Sequence, residues 1–127
     1  EKSHSDIETF EFLSVYSFKK DQGSRSSPGS RNAPLLVSVA REKRLKHHVI
    51  VDERSAAFFA LGIAQQTGQT VAYLHVGNRL IELLPCRGGS YYQGIPLLVI
   101  SADRPSEWID QDDSQTIQQQ GALCNFV

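Results

Sequence analysis

Apolar residues fall along this chain in short blocks separated by polar, glycine-bearing stretches. Near the start Ile7, Phe10, Leu13 and Phe18 return at roughly helical spacing, which predicts a first helix ending near Lys19 and Lys20. Residues 21–31, DQGSRSSPGSR, read as a polar, glycine-rich loop, after which Pro34 can open a short helix through Ala40. HHVIVD then carries a short apolar run and predicts a buried strand ending at Asp52 and Glu53.

The next stretch, RSAAFFALGIAQQTG, is apolar almost without a break over residues 56–64. No face is left for water, so this helix is expected in the core or at a subunit contact, with Gly68 ending it. TVAYLHV and IPLLVISAD each read as a strand, and the continuous apolar run of the second is typical of a parallel sheet covered on both faces. Alternating strands and helices predict an α/β fold with an open, doubly wound, mostly parallel sheet.

Composition narrows the function classes. At 127 residues the chain is most simply one domain, and with 40% hydrophobic residues it can bury an ordinary core. Thirteen basic against fourteen acidic side chains leave no electrostatic footprint for nucleic acid or an anionic membrane. Cys86 and Cys124 form neither a disulfide framework nor a zinc motif, which fits a cytoplasmic location. His47 and His48 are neighbours on a strand and point to opposite faces, so they do not share a metal. Residues 95–102 are too few to span a bilayer, no integral membrane segment is expected, and the N-terminus does not read as a signal peptide. A chain opening at Glu1 with no methionine reads as a piece of a longer one.

In open parallel sheets ligands bind beyond the carboxyl ends of the strands. Three polar clusters fall there: PGSRNAP, VDERSAAFFALG and SADRPSEW. Each has a plain reading, with Ser30 as a helix cap, Asp52 and Arg54 as a surface pair and Arg104 as a solvated charge. Taken jointly, SPGSRNAP, DERSAAFFALG, ISADRPSEW and QTIQQQG, in this order and spacing, resemble the 2-succinyl-5-enolpyruvyl-6-hydroxy-3-cyclohexene-1-carboxylate synthases of menaquinone biosynthesis, from about Ser27 to Val127.

That resemblance implies the pyrimidine-binding N-terminal domain of a thiamine diphosphate-dependent transferase working as a homodimer or dimer of dimers. The diphosphate, with its Mg2+ or Mn2+, would be held by a domain absent from these residues, so this fragment alone is expected to be inactive. The family reaction decarboxylates 2-oxoglutarate and adds the succinyl unit to isochorismate. Glu53 matches the catalytic and cofactor-binding glutamate that hydrogen-bonds a pyrimidine nitrogen. In a dry, apolar wall such a carboxyl can share a proton with the ring and promote deprotonation of the thiazolium carbon. Ser30, Arg31, Arg104 and Gln115 match substrate-binding positions, and arginine suits carboxylates because its planar fork grips them through two charge-assisted hydrogen bonds. Two other readings compete: another thiamine diphosphate decarboxylase or carboligase, acetolactate synthase-like, and a non-catalytic α/β remnant. A Rossmann-type nucleotide module is disfavoured, since no GxGxxG follows a strand.

The chain departs from the family pattern twice. Where the family carries a segment like CTSGTALLNYYPAVAEA, residues 74–90 read LHVGNRLIELLPCRGGS. With suitable synonymous codons that string, read one base on, becomes CTSGTALLNYYPAVAE, and Tyr91 onward is back in the family frame. Over residues 20–27 the family expects an apolar first strand, and Asp21 to Ser26 read one base on can become IKEVV. Both departures fit paired, compensating frame errors, in the gene or in its reading. The chain as written is expected to lose a central strand and to place Arg79, Glu82 and Arg87 where a packed segment belongs, leaving residues 21–27 irregular or a strand with unsatisfied polar neighbours.

The encoding DNA tests the frame reading directly: its codons for residues 74–90, read one base on, should spell the family segment. Codons that do not would leave both departures as ordinary substitutions.

Overall fold

A computed structural model of the chain describes residues 24–43, 46–109, 111 and 117–127. The helix expected over Ile7 to Phe18 and the candidate Gln115 lie outside the described residues. Four strands, β1 (Ser24–Ser26), β2 (His47–Val49), β3 (Val71–Val76) and β4 (Leu97–Ala102), form one sheet in the order β2-β1-β3-β4, with every neighbouring pair parallel. Parallel neighbours cannot be joined by a tight turn, so each connection carries a helix. These are α1 (Ala33–Arg41), α2 (Glu53–Thr67) and, between β3 and β4, a 3-10 helix (Gly77–Leu83) that runs into α3 (Leu84–Tyr92). The expected α/β parallel architecture is what forms.

Side chains alternate across β3 and β4, so the two apolar runs divide between the faces of the sheet. Val71, Tyr73 and Leu97 turn to one face and pack with Ala56, Ala57, Ala60, Leu61 and Ala64 of α2 and with Leu80, Leu83 and Cys86 of the β3–β4 connection. Ala72 and Leu74 turn to the other, against Val39 of α1, with Leu35, Leu98 and Ile100 around them. The alanines on α2 let its backbone lie close to the sheet. Asp52 caps that helix and Gly68, at φ 65°, ends it in the left-handed conformation that costs glycine least.

Four expectations change. Residues 21–31 read as loop, with residues 21–27 irregular or a strand; Ser24–Ser26 form the strand between β2 and β3, so the second alternative holds and a short central strand survives. Backbone pairing is indifferent to side-chain chemistry and carries it: Arg25, 4% exposed, lies opposite Tyr73 with its guanidinium 5.5 Å from the Phe59 ring. HHVIVD is no buried strand: among the described residues β2 is a sheet edge, Val49 is exposed and Val51 lies beyond the pairing. Residues 56–64 are helical but not buried all round, since Phe58 and Phe59 stand 50% and 45% exposed on the outer face. Finally, the charges of residues 74–90 are not forced inward. Leu80, Leu83, Cys86 and Ser90 turn to the core, while Arg79 and Glu82 pair with each other in solvent and Arg87 donates to Ser90 Oγ at 3.0 Å.

Arg25→Val places an apolar side chain in the central strand, as the shifted reading of that stretch does. It should raise the urea unfolding midpoint by a stabilisation on the order of 1 kcal/mol or more, since replacing buried charge with packed apolar groups is commonly neutral to stabilising. A lower midpoint would show that the guanidinium and its ring contact hold β1 in place.

Candidate functional site

The carboxyl ends of the strands meet along one edge of the sheet, and the first turn of α2 is built there. Asp52 keeps extended backbone at φ −81° and ψ 122°, which leaves its side chain free to cap: Oδ1 accepts from Ser55 N–H at 2.8 Å. The Arg54 guanidinium donates to the other carboxylate oxygen at 3.0 Å. The Ser55 backbone donor above all, with Arg54 behind it, holds the Asp52 carboxyl down at about 2. The plain reading of Asp52 and Arg54 as a surface pair is therefore right, with the cap added to it.

Glu53 is the first residue of α2, and its side chain is 16% exposed. Its backbone carbonyl accepts a hydrogen bond from the hydroxyl of Tyr73, 3.1 Å away on β3, so a fully buried ring ties the helix start to the neighbouring strand. Burial pushes that tyrosine hydroxyl well above its usual range, leaving it a committed donor. The carboxyl is nearly enclosed, as expected, but the wall beside it is not purely apolar. Arg79 Nε stands 3.9 Å from Glu53 Oε1, and Arg79 Nη1 donates to Glu82 at 2.7 Å. Arg54 Nε lies 4.0 Å from the other oxygen of Glu82, closing a run of alternating charge: Asp52, Arg54, Glu82, Arg79, Glu53.

Ser30 and Arg31 lie in the turn after β1, Ser30 exposed and Arg31 half-buried. Asn32, fully buried, shapes that turn by accepting from Gly29 N–H at 2.9 Å and donating to Ser27 C=O at 2.8 Å. Ser27 Oγ donates to Val51 C=O at 2.9 Å, so the loop bearing Ser30 and Arg31 is fastened to the segment leading into Glu53. These three candidates occupy adjacent strand ends. Arg104 is set apart from them, following β4 with β3 between. It lines a cavity of about 660 Å3 with Asp103, Ser106, Ile109, Gln118, Gln119 and Gln120, its guanidinium 6.0 Å from the Trp108 ring. Gln119 is held there by Ser101 Oγ and donates to Ala102 C=O at 3.3 Å.

Sequence reasoning missed Arg79, Tyr73, Asn32 and the glutamines beside Arg104. The repeated QQQ signalled amide donors near the SADRP strand end, whereas Arg79 and Tyr73 gave no local sign, because their roles depend on the pairing of distant strands. A near-enclosed carboxyl at a strand end fits hydrogen bonding to the aminopyrimidine of thiamine diphosphate. For a metal, the described residues contain no group of three His, Cys, Asp or Glu side chains that could hold one.

Residues 25–122 match the sequence family described as thiamine pyrophosphate enzyme, N-terminal TPP binding domain. The chain is 51% identical over 102 residues to a 2-succinyl-5-enolpyruvyl-6-hydroxy-3-cyclohexene-1-carboxylate synthase of Porphyromonas gingivalis, covering 80% of this chain and 18% of that protein. To proteins of the same name it is 54% identical over 95 residues in Cytophaga hutchinsonii, covering 74% of this chain and 17% of the relative, and 50% identical over 100 residues in Flavobacterium johnsoniae, covering 78% and 18%. The chain thus spans under a fifth of the length of these curated relatives.

The Asp52 cap makes stability depend on acid pH. Its folded value of about 2 lies below the usual carboxylate value near 3.9, so its contribution is fully present above about pH 4 and is lost as pH falls through 2. Between those limits the urea midpoint of the wild type should fall more steeply than that of Asp52→Asn, whose amide still accepts from Ser55 but does not titrate. Parallel pH curves would remove the cap from the acid response.

Proposed function

The chain belongs to the thiamine pyrophosphate enzymes, and we propose that it is the pyrimidine-binding portion of a 2-succinyl-5-enolpyruvyl-6-hydroxy-3-cyclohexene-1-carboxylate synthase acting in menaquinone biosynthesis. The observation that carries this reading is the coincidence of the family match over residues 25–122 with Glu53 at a strand end, its carboxyl mostly enclosed and its backbone pinned by Tyr73. In the whole protein the substrates would be 2-oxoglutarate and isochorismate, joined with loss of carbon dioxide. A second subunit would complete the site, and the cytoplasm would be its location.

Bound thiamine diphosphate would supply the carbon acid that takes up the oxoacid. Glu53 would hold a proton at its carboxyl, facing a pyrimidine nitrogen, where size and donor geometry matter as much as charge. Ser30 and Arg31 would orient carboxylates near the β1 end, Arg104 would do so from the β4 end with Gln119 beside it, and Gln115 would join them in binding substrate. Every reactant carries carboxylate, which is why more than one guanidinium is expected. The diphosphate and a Mg2+ or Mn2+ would be held outside this chain, by protein corresponding to the remainder of the relatives' length.

Two measurements check this. The purified chain, supplied with thiamine diphosphate, Mg2+, 2-oxoglutarate and isochorismate, should form no product; turnover would place the whole active site within these residues. A chimaera in which residues 21–127, with both departures restored to the shifted frame, replace the matching part of the Porphyromonas gingivalis synthase should be active. In it Arg31→Ala and Arg104→Ala should each cost about 10- to 100-fold in kcat/KM for an oxoacid or isochorismate, the range for losing a hydrogen bond to a charged group. Unchanged kinetics in both variants would take the two arginines out of substrate binding.

A further inference from the structure

Glu53 meets a partner drawn from the stretch that departs from the family pattern. Arg79 belongs to the 3-10 helix after β3, and that helix lies beside the start of α2. Arg79 is half exposed and would ordinarily sample many rotamers, but Glu82, three residues on, grips Nη1 at 2.7 Å. Glu82 is braced in turn by Arg54 at 4.0 Å, and Arg54 by the helix-capping Asp52 at 3.0 Å. Every guanidinium in this run lies between two carboxylates. The Glu53 end of the run is also the most enclosed, with a side chain 16% exposed against 31% for Glu82 and 44% for Asp52.

We infer that Arg79 is an internal counter-ion that occupies the Glu53 carboxyl and competes with any ligand needing it. This rests on the proposed role of Glu53 and adds a device acting on the same atoms. A ligand hydrogen-bonded to the Glu53 carboxyl must displace the Arg79 Nε contact or share the carboxyl with it, and the carboxyl has little open surface to share. The contact is long and one partner is half exposed, so its strength is that of a surface ion pair. The latch is therefore weak. It should reduce affinity by about 2- to 5-fold without abolishing binding.

The test uses the chain as it stands, with arginine-detected and backbone NMR. In the first measurement the Arg79 Nε–H resonance should shift on Glu53→Gln, and no shift would overturn the inference whatever the cofactor does. In the second, thiamine without its diphosphate is titrated into the wild type, Arg79→Ala and Arg79→Lys, following amides of the first turn of α2. Arg79→Ala should bind about 2- to 5-fold more tightly than the wild type, and Arg79→Lys, which keeps the charge, should lie closer to the wild type. Equal affinity in all three would overturn the latch while leaving the Glu53 reading intact. Thiamine that perturbs none of the three would overturn the latch as a competitor for this ligand, while the role of Glu53 would still be decided by the chimaera.

Discussion

A parallel strand with neighbours on both sides must bury both of its faces, and the structure depends on β3 doing so. Val71 and Tyr73 meet α2 while Ala72 and Leu74 meet the side of α1, so one six-residue strand belongs to both cores. Its backbone also sets the register of β1 and β4. The same strand reaches the candidate site through Tyr73, whose ring fills the core and whose hydroxyl fixes the Glu53 carbonyl. Sheet packing and the position of the candidate carboxyl are thus one mechanical unit.

That constraint explains how the two unusual stretches are accommodated. Ser24–Ser26 contribute no apolar side chain, but hydrogen-bonded pairing with β2 and β3 keeps them in the sheet, and the guanidinium of Arg25 lies near Phe59. Over residues 77–90 the chain presents Leu80, Leu83 and Cys86 inward at three-residue intervals, and the charges between them stay outside. Register joins the two stretches, since Ser26 pairs with Leu74 at the point where the second one begins. The consequence for chemistry is local: the same helical turn that hides Leu80 and Leu83 swings Arg79 to Glu53.

Much of this was legible from the residues alone. The long apolar run of β4 is typical of a doubly covered sheet, and the alanine-rich stretch before Gly68 read as a buried helix, which holds for the face that meets the sheet. The cluster at residues 52–54 announced a strand end, as did PGSRNAP. What misled was local polarity. SRS reads as loop because its strand character comes from partners about twenty and fifty residues away, and HHVIV reads as buried because a short apolar run does not reveal an edge. The enclosure of Glu53 was foreseeable, but its contact with Arg79 was not, because it depends on where the 3-10 helix after β3 comes to lie beside the start of α2.

The central claim is that Glu53 is the carboxyl on which cofactor activation turns. It is tested most directly by exchange of the thiazolium C2 proton of bound thiamine diphosphate for deuterium in the restored chimaera, compared with Glu53→Gln in the same background. Loss of a positioned acid–base group predicts exchange slower by about 100- to 10,000-fold, with the cofactor still bound. Exchange at an unchanged rate would contradict the account and return Glu53 to the role of a structural residue at the head of a helix.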